Sequence, residues 1–131
     1  MSTAQEEENR RLLRARDAMD RSYREPLDVP ALAGIAYLSE AHFSRRFKAV
    51  FGETPGHYLQ RRRIERAMSL LRRTDLTVAE VCTDVGFASL ATFSRRFKEI
   101  VGLTPSAFRA QGSDNTGLVP TCFEKAWTRP S

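Results

Sequence analysis

The chain has 131 residues, 41% of them apolar, which allows one modest domain or two very small subdomains with real cores. Its net charge is +5, but residues 1–9 carry −3 and residues 113–131 sum to zero, so residues 10–112 carry +8. Two cysteines, Cys82 and Cys122, make neither a disulfide framework nor a zinc spacing, and no apolar run reaches membrane-spanning length; a reducing, cytoplasmic setting without secretion signal or membrane partner is expected.

Residues 1–9, with Glu6, Glu7 and Glu8, read as an acidic disordered N-terminus, and a first helix is expected near residues 8–23, with Leu12, Ala15, Met19 and Tyr23 on one face. A short helix follows Asp28, its N-cap, with Pro30 tolerated in the first turn and Leu32, Ala33, Ile35 and Ala36 facing inward. Its turn uses Tyr37, Leu38 and Ser39 and lacks a glycine. From Glu40 to Phe51, Phe43, Phe47 and Val50 recur at helical spacing. Gly52, Thr54 and Pro55 then end that helix, cap the next and open it. The helix from Pro55 should run to about Arg72, carrying Tyr58, Leu59, Ile64, Ala67, Met68 and Leu71 as its apolar positions and Arg61, Arg62 and Arg63 fanned around its circumference.

The second half repeats this order. Thr77, Val78, Ala79 and Glu80 form a capping box ahead of Val81, Cys82 and Val85, Gly86 supplies the turn, and Phe87 can tuck beneath it. The helix 89–101 carries Phe93, Phe97 and Ile100; Gly102, Thr104 and Pro105 open a short last helix ending near Gly112. Residues 43–58 and 93–108 align without gaps, and nine of sixteen positions are identical, including the whole hexapeptide Phe-Ser-Arg-Arg-Phe-Lys. Upstream the offset drops from fifty to forty-nine, so the second copy has one extra residue in its turn. Opposite the phenylalanines lie Ala41, Ser44, Arg45 and Lys48, matched by Ala91, Ser94, Arg95 and Lys98. Basic charge alone fits either a polyanion partner or a soluble surface. A merely solvated face, however, need not be duplicated residue for residue.

The expected fold is therefore all-α: two helix-turn-helix subdomains joined by a long linker helix, about seven helices in all, with boundaries at 10–59, 60–73 for the rest of the linker helix, and 74–112. Gly86-Phe87, the hexapeptide 93–98, Gly102-Leu103-Thr104-Pro105 and Phe108-Arg109 resemble the signature of the AraC/XylS family of bacterial transcription regulators, and the resemblance covers roughly residues 10–111. It implies a DNA-binding domain whose two recognition helices enter successive major grooves. Carried over position by position, Ala41, Ser44 and Arg45 on the first helix and Leu90, Ala91, Ser94 and Arg95 on the second become base contacts. Arg46, Lys48, Thr54, Arg62, Arg96, Lys98 and Thr104 become phosphate contacts. Arginine suits guanine because its parallel donors match O6 and N7. The family commonly carries larger side chains at the positions of Ala41 and Ala91, so DNA shape is expected to add to direct readout.

The resemblance further implies double-stranded DNA and RNA polymerase as partners, activator or repressor action in the nucleoid, and, as in short members of the family, a monomer on an asymmetric site. At 131 residues no sensor or effector domain is expected. No acid–base cluster, phosphate loop or nucleophile motif is visible, so neither enzyme activity nor cofactor is expected, and His42 and His57, lacking ligand partners at metal spacing, read as surface or structural residues. The rival reading is a protein-interaction adaptor whose helix-turn-helix pairs have little DNA affinity. From Ser113 a polar linker leads to Val119, Cys122, Phe123 and Trp127, which suit either a strap docked on its own domain or a partner surface.

Overall fold

The computed structural model describes residues 3–114, and its regular structure is helical throughout: α1 (Thr3–Arg21), α2 (Val29–Ala36), α3 (Glu40–Phe51), α4 (Pro55–Arg73), α5 (Val78–Asp84), α6 (Leu90–Val101) and α7 (Pro105–Asp114). The chain divides inside α4 into two compact units, one ending at Gln60 and the other beginning at Arg61. The apolar positions of the tail, Val119, Cys122, Phe123 and Trp127, lie outside the described residues.

Helices α2, α3, α5 and α6 begin where the sequence supplies a cap. The Asp28 carboxylate accepts from the Ala31 N–H at 2.9 Å to open α2. Ser39 and Ser89 accept from His42 and Thr92 to open α3 and α6, and Thr77 and Glu80 exchange bonds in a complete capping box at α5. Gly52 and Gly102 close α3 and α6 at φ 82° and 91°, in the left-handed region where only glycine is unstrained.

One sequence expectation is corrected. The acidic N-terminus is not a disordered lead-in: α1 already begins at Thr3. Glu6 lies in the first turn, where a negative charge favours the helix dipole, and Glu7 pairs with Arg11 one turn on at 2.9 Å. At the other end α7 stops at Asp114, close to the expected end near Gly112.

The core of the first unit gathers Leu12, Ala15 and Met19 from α1, Leu32, Ala33 and Ala36 from α2, Phe43, Phe47 and Phe51 from α3, and Tyr58 and Leu59 from the start of α4. In the second unit the buried side chains include Ile64, Ala67, Leu71, Val81, Val85, Phe87, Phe93, Phe97 and Phe108. Leu12, Ala15 and Met19 have the same spacing as Ile64, Ala67 and Leu71, so α4 supplies to the second unit the stripe that α1 supplies to the first. The ring geometry repeats as well. Phe43 and Phe47 meet at 5.7 Å and 55°, Phe93 and Phe97 at 5.8 Å and 56°; Tyr58 stands edge-on to Phe47, and Phe108 to Phe97. Such edge-on pairs put a ring's positive rim on its neighbour's negative face and add to the burial of the rings themselves.

Where the copies differ, the partners change together. The Tyr58 hydroxyl donates to Asp20 at 2.9 Å, whereas Phe108, with no hydroxyl, lies beneath the guanidinium of Arg72 at 4.0 Å. Arg109 donates to the Leu71 and Thr74 carbonyls and so satisfies acceptors at the C-terminal end of α4.

The turns between the paired helices also differ. In the second unit Gly86 takes φ 98°, and Phe87 behind it is buried against Phe93. In the first, Tyr37 occupies the matching place at φ 57°, the one non-glycine residue with positive φ among the described residues, and is 74% exposed. Ala88 is the additional residue of the second turn. A left-handed L-residue costs about 1–2 kcal/mol, while glycine's greater freedom in the unfolded chain costs roughly 0.5–1 kcal/mol. Tyr37→Gly is therefore expected to stabilise the first unit by about 0.5–1 kcal/mol in urea unfolding; a clear loss of stability would mean that the exposed ring contributes packing.

Candidate nucleic-acid interface

On α3 and α6 the buried phenylalanines fix which way every other residue faces. From 41 to 58 and from 91 to 108 the order of buried, half-buried and exposed positions is the same at every step. Ala41, Arg45 and Lys48 are exposed on α3, and Ala91, Arg95 and Lys98 on α6; Ser44 and Ser94 are half-buried beside them. Leu90, at the start of α6, is 47% exposed, an uncovered large apolar side chain on the side predicted to read bases. Arg45, Lys48, Arg95 and Lys98 make no ion pair among the described residues. The predicted base contacts of each helix thus form one exposed-to-half-buried strip within their own unit.

The predicted phosphate contacts separate into two groups. Lys48, Lys98, Thr54 and Thr104 are exposed. The hydroxyls of Thr54 and Thr104 accept from the His57 and Ala107 N–H groups, while the Tyr58 and Phe108 N–H groups bond the Thr54 and Thr104 carbonyls. Since Pro55 and Pro105 have no N–H, the donors left for an anion in those two first turns are Gly56 and Ser106. Arg46, Arg62 and Arg96 are half-buried and already engaged. Arg62 donates to Glu65 at 2.6 Å and shares it with Arg61, and Arg96 donates to Glu99 at 3.0 Å. The Arg96 Nε is buried without a partner among the described residues. Arg63, third of the arginine run, has its guanidinium 5.9 Å from the Phe87 ring.

Arg46 is held by a residue that sequence reasoning missed. Its Nε donates to Glu8 on α1 at 2.8 Å, and His42 Nε2 donates to the other oxygen of the same carboxylate at 3.2 Å. The carboxylate therefore ties α1 to two successive turns of α3. The histidines, expected as surface or structural residues, each meet one carboxylate: His42 meets Glu8, and His57 Nδ1 lies 2.6 Å from Glu53, one turn earlier in the chain, where the sequence suggested no partner. A signal for Glu8 did exist, since it lies four residues before Leu12 and seven before Ala15, on the stripe that α1 buries. The bonds from His42 and then Arg46 hold the Glu8 carboxyl below its ordinary range, against the partial burial that raises it.

These features define the class: a helix-turn-helix DNA-binding domain in which two units each present a phenylalanine-anchored helix. The helix-turn-helix domain family matches residues 32–111, and the chain belongs to the AraC/XylS type of that family. It is similar to the DNA-binding domain of AdpA, solved in complex with a target DNA, with a TM-score of 0.74 and 30% identity over 82% of this chain and 98% of that one. It is also similar to a transcriptional regulator with an AraC-type DNA-binding domain from Chromobacterium violaceum, at a TM-score of 0.71 and 29% identity over 79% of this chain and 92% of that one. Among sequence relatives, the MmsAB operon regulatory protein of Pseudomonas aeruginosa is 39% identical over 61 residues, 47% of this chain and 20% of that protein. The regulator CdhR of the same organism is 32% identical over 79 residues, 60% of this chain and 24% of that protein. The matched part of the chain spans about a fifth to a quarter of the length of these curated relatives.

Because the folded carboxyl of Glu8 titrates below the unfolded one, its contribution to stability is present above the ordinary glutamate pKa of about 4.3 and is lost as the pH falls through the folded value. The stability difference between the wild-type protein and Glu8→Gln is expected to shrink as pH falls through that range. A difference independent of pH in denaturant titrations would show that the carboxylate charge contributes nothing there.

Proposed function

We propose that the protein is a sequence-specific transcription regulator that inserts α3 and α6 into successive major grooves of an asymmetric promoter site. The observation that carries this reading is the position-for-position repetition of exposure along the two helices, which keeps a small-and-basic face outward twice. A similar domain, that of AdpA, was solved on its target DNA. In this reading Ser44, Arg45, Ser94 and Arg95, with Ala41, Ala91 and Leu90 as apolar contacts, read base edges. Lys48 and Lys98, the Thr54 and Thr104 turns, and the guanidiniums of Arg46, Arg62 and Arg96 hold phosphates. Each arginine–guanine pair is worth about 1–3 kcal/mol of discrimination, whereas phosphate contacts position without reading sequence. The residues flanking the shared hexapeptide differ, so the two helices read different half-sites, and one monomer suffices to span them. Action in the cytoplasm at the nucleoid and a contact with RNA polymerase complete the reading.

Two measurements test it. Binding to duplex DNA should weaken steeply with salt, by a slope of about −0.9 per phosphate contact on logarithmic axes; a flat response would favour a protein-interaction adaptor instead. Arg95→Ala should relax the base preference at one position of a selected site by about 1–3 kcal/mol, and Arg96→Ala should weaken all sites alike. Equal behaviour of the two variants would undo the division between reading and anchoring residues. A footprint confined to one groove, or a requirement for a palindrome, would count against the asymmetric monomer.

A further inference from the structure

The two units repeat so closely that an unrepeated interaction stands out, and the contact of Glu8 with Arg46 is one. Leu12, Ala15 and Met19 on α1 correspond to Ile64, Ala67 and Leu71 on α4, fifty-two residues on. At the same step, the counterpart of the anionic Glu8 is the uncharged Gln60. Arg46 corresponds in turn to Arg96, and these arginines have different surroundings. Arg46 Nε meets a carboxylate from another helix at 2.8 Å; Arg96 Nε meets no acceptor among the described residues, and its terminal nitrogen pairs with Glu99 of its own helix on the surface. Among the described residues, only the first recognition helix has an anchoring arginine engaged by a carboxylate from a neighbouring helix.

The geometry of that engagement leaves Arg46 able to bind a second anion. Glu8 takes Nε alone, so both terminal amino groups of Arg46 have no partner among the described residues. The side chains of Arg46 and Glu8 remain 29% and 25% exposed. Arg46 follows the exposed Arg45 and precedes the exposed Lys48 by two residues on the same helix. A phosphate placed on those amino groups would lie close to the Glu8 charge, where Coulomb repulsion is substantial at partly buried positions and is screened with salt.

We infer that Glu8 is a further residue of the DNA-binding surface, one that competes with phosphate for Arg46 and so restrains the affinity of the first unit for DNA. The inference rests on Arg46 being a phosphate contact. Glu8 keeps the guanidinium in place by its hydrogen bond and at the same time cancels the charge that would attract DNA. The uncharged Gln60 at the corresponding place on α4 shows what the repeat looks like without such an acid, and Glu8→Gln gives the first unit that side chain while retaining an acceptor oxygen for Arg46.

The test is binding of the full chain to mixed-sequence duplex DNA, read by fluorescence anisotropy across a salt series, with unfolding curves confirming that each variant is folded. Glu8→Gln should tighten binding about two- to fivefold at low salt, the size of a screened ion pair, and steepen the salt slope by about 0.9, as for one further phosphate neutralised. Glu6→Gln removes the same charge from an exposed position two residues away and should give clearly less. In an Arg46→Ala background, Glu8→Gln should do no more than Glu6→Gln. Unchanged or weaker binding by Glu8→Gln, or an effect equal to that of Glu6→Gln, overturns the inference. If Arg46→Ala itself leaves binding and slope unchanged, the phosphate reading of Arg46 falls together with it; if Arg46→Ala weakens binding and Glu8→Gln does not tighten it, only the competition falls.

Discussion

The complete burial of two phenylalanines one helical turn apart is the constraint on which the rest depends. Phe43 and Phe47 on α3, like Phe93 and Phe97 on α6, are 0% exposed. A helix pinned at two points a turn apart can neither rotate about its axis nor slide along it without exposing aromatic surface, at about 1.5–3 kcal/mol for each ring returned to water. Every other side chain then faces where helical geometry puts it. Orientation of the outward strip is thus set from the inside, by residues that never touch what the strip touches.

The same logic explains why the two units tolerate sequence change so unevenly. Around the phenylalanine pair the ring angles agree to within a degree, whereas one turn further out the chemistry has been exchanged wholesale, Tyr58 with Asp20 in one unit and Phe108 with Arg72 in the other. Both solutions set an aromatic ring edge-on to the anchoring phenylalanine, with a carboxylate on its hydroxyl in one unit and a guanidinium over its face in the other. What is preserved is the position of a ring, and the bond that completes it is free to vary.

Most of this was legible in the sequence. The helix-turn-helix pairs, the capping box at Thr77 and the turns at Gly52 and Gly102 follow from local patterns of three to seven residues, and local patterns are what a sequence displays. Three things were hidden, each for a physical reason. The start of α1 was obscured because three successive glutamates look like a solvated tail until one is known to have a partner on another helix. The correspondence of α1 with α4 was obscured because its offset is fifty-two, against forty-nine and then fifty further on, while identity along the stripe falls to a single alanine. The occupancy of Arg46 by Glu8 joins residues thirty-eight apart, and no periodicity within one helix reports it. His57 and Glu53, by contrast, stood one turn apart in plain view. The site was legible as far as the outward direction of its residues; which guanidiniums were already engaged depended on tertiary contacts.

One detail of the second unit has a consequence of its own. Arg96 carries inward a donor, its Nε, that meets no acceptor among the described residues, and a buried donor left unpaired costs about 1–3 kcal/mol. An apolar side chain of similar length, such as methionine, would relieve that cost while removing a positive charge from the helix. If Arg96 holds a phosphate as proposed, folding and attraction for a polyanion make opposite demands at this position. On the proposed phosphate role, arginine at this position costs the domain some stability for the sake of its ligand.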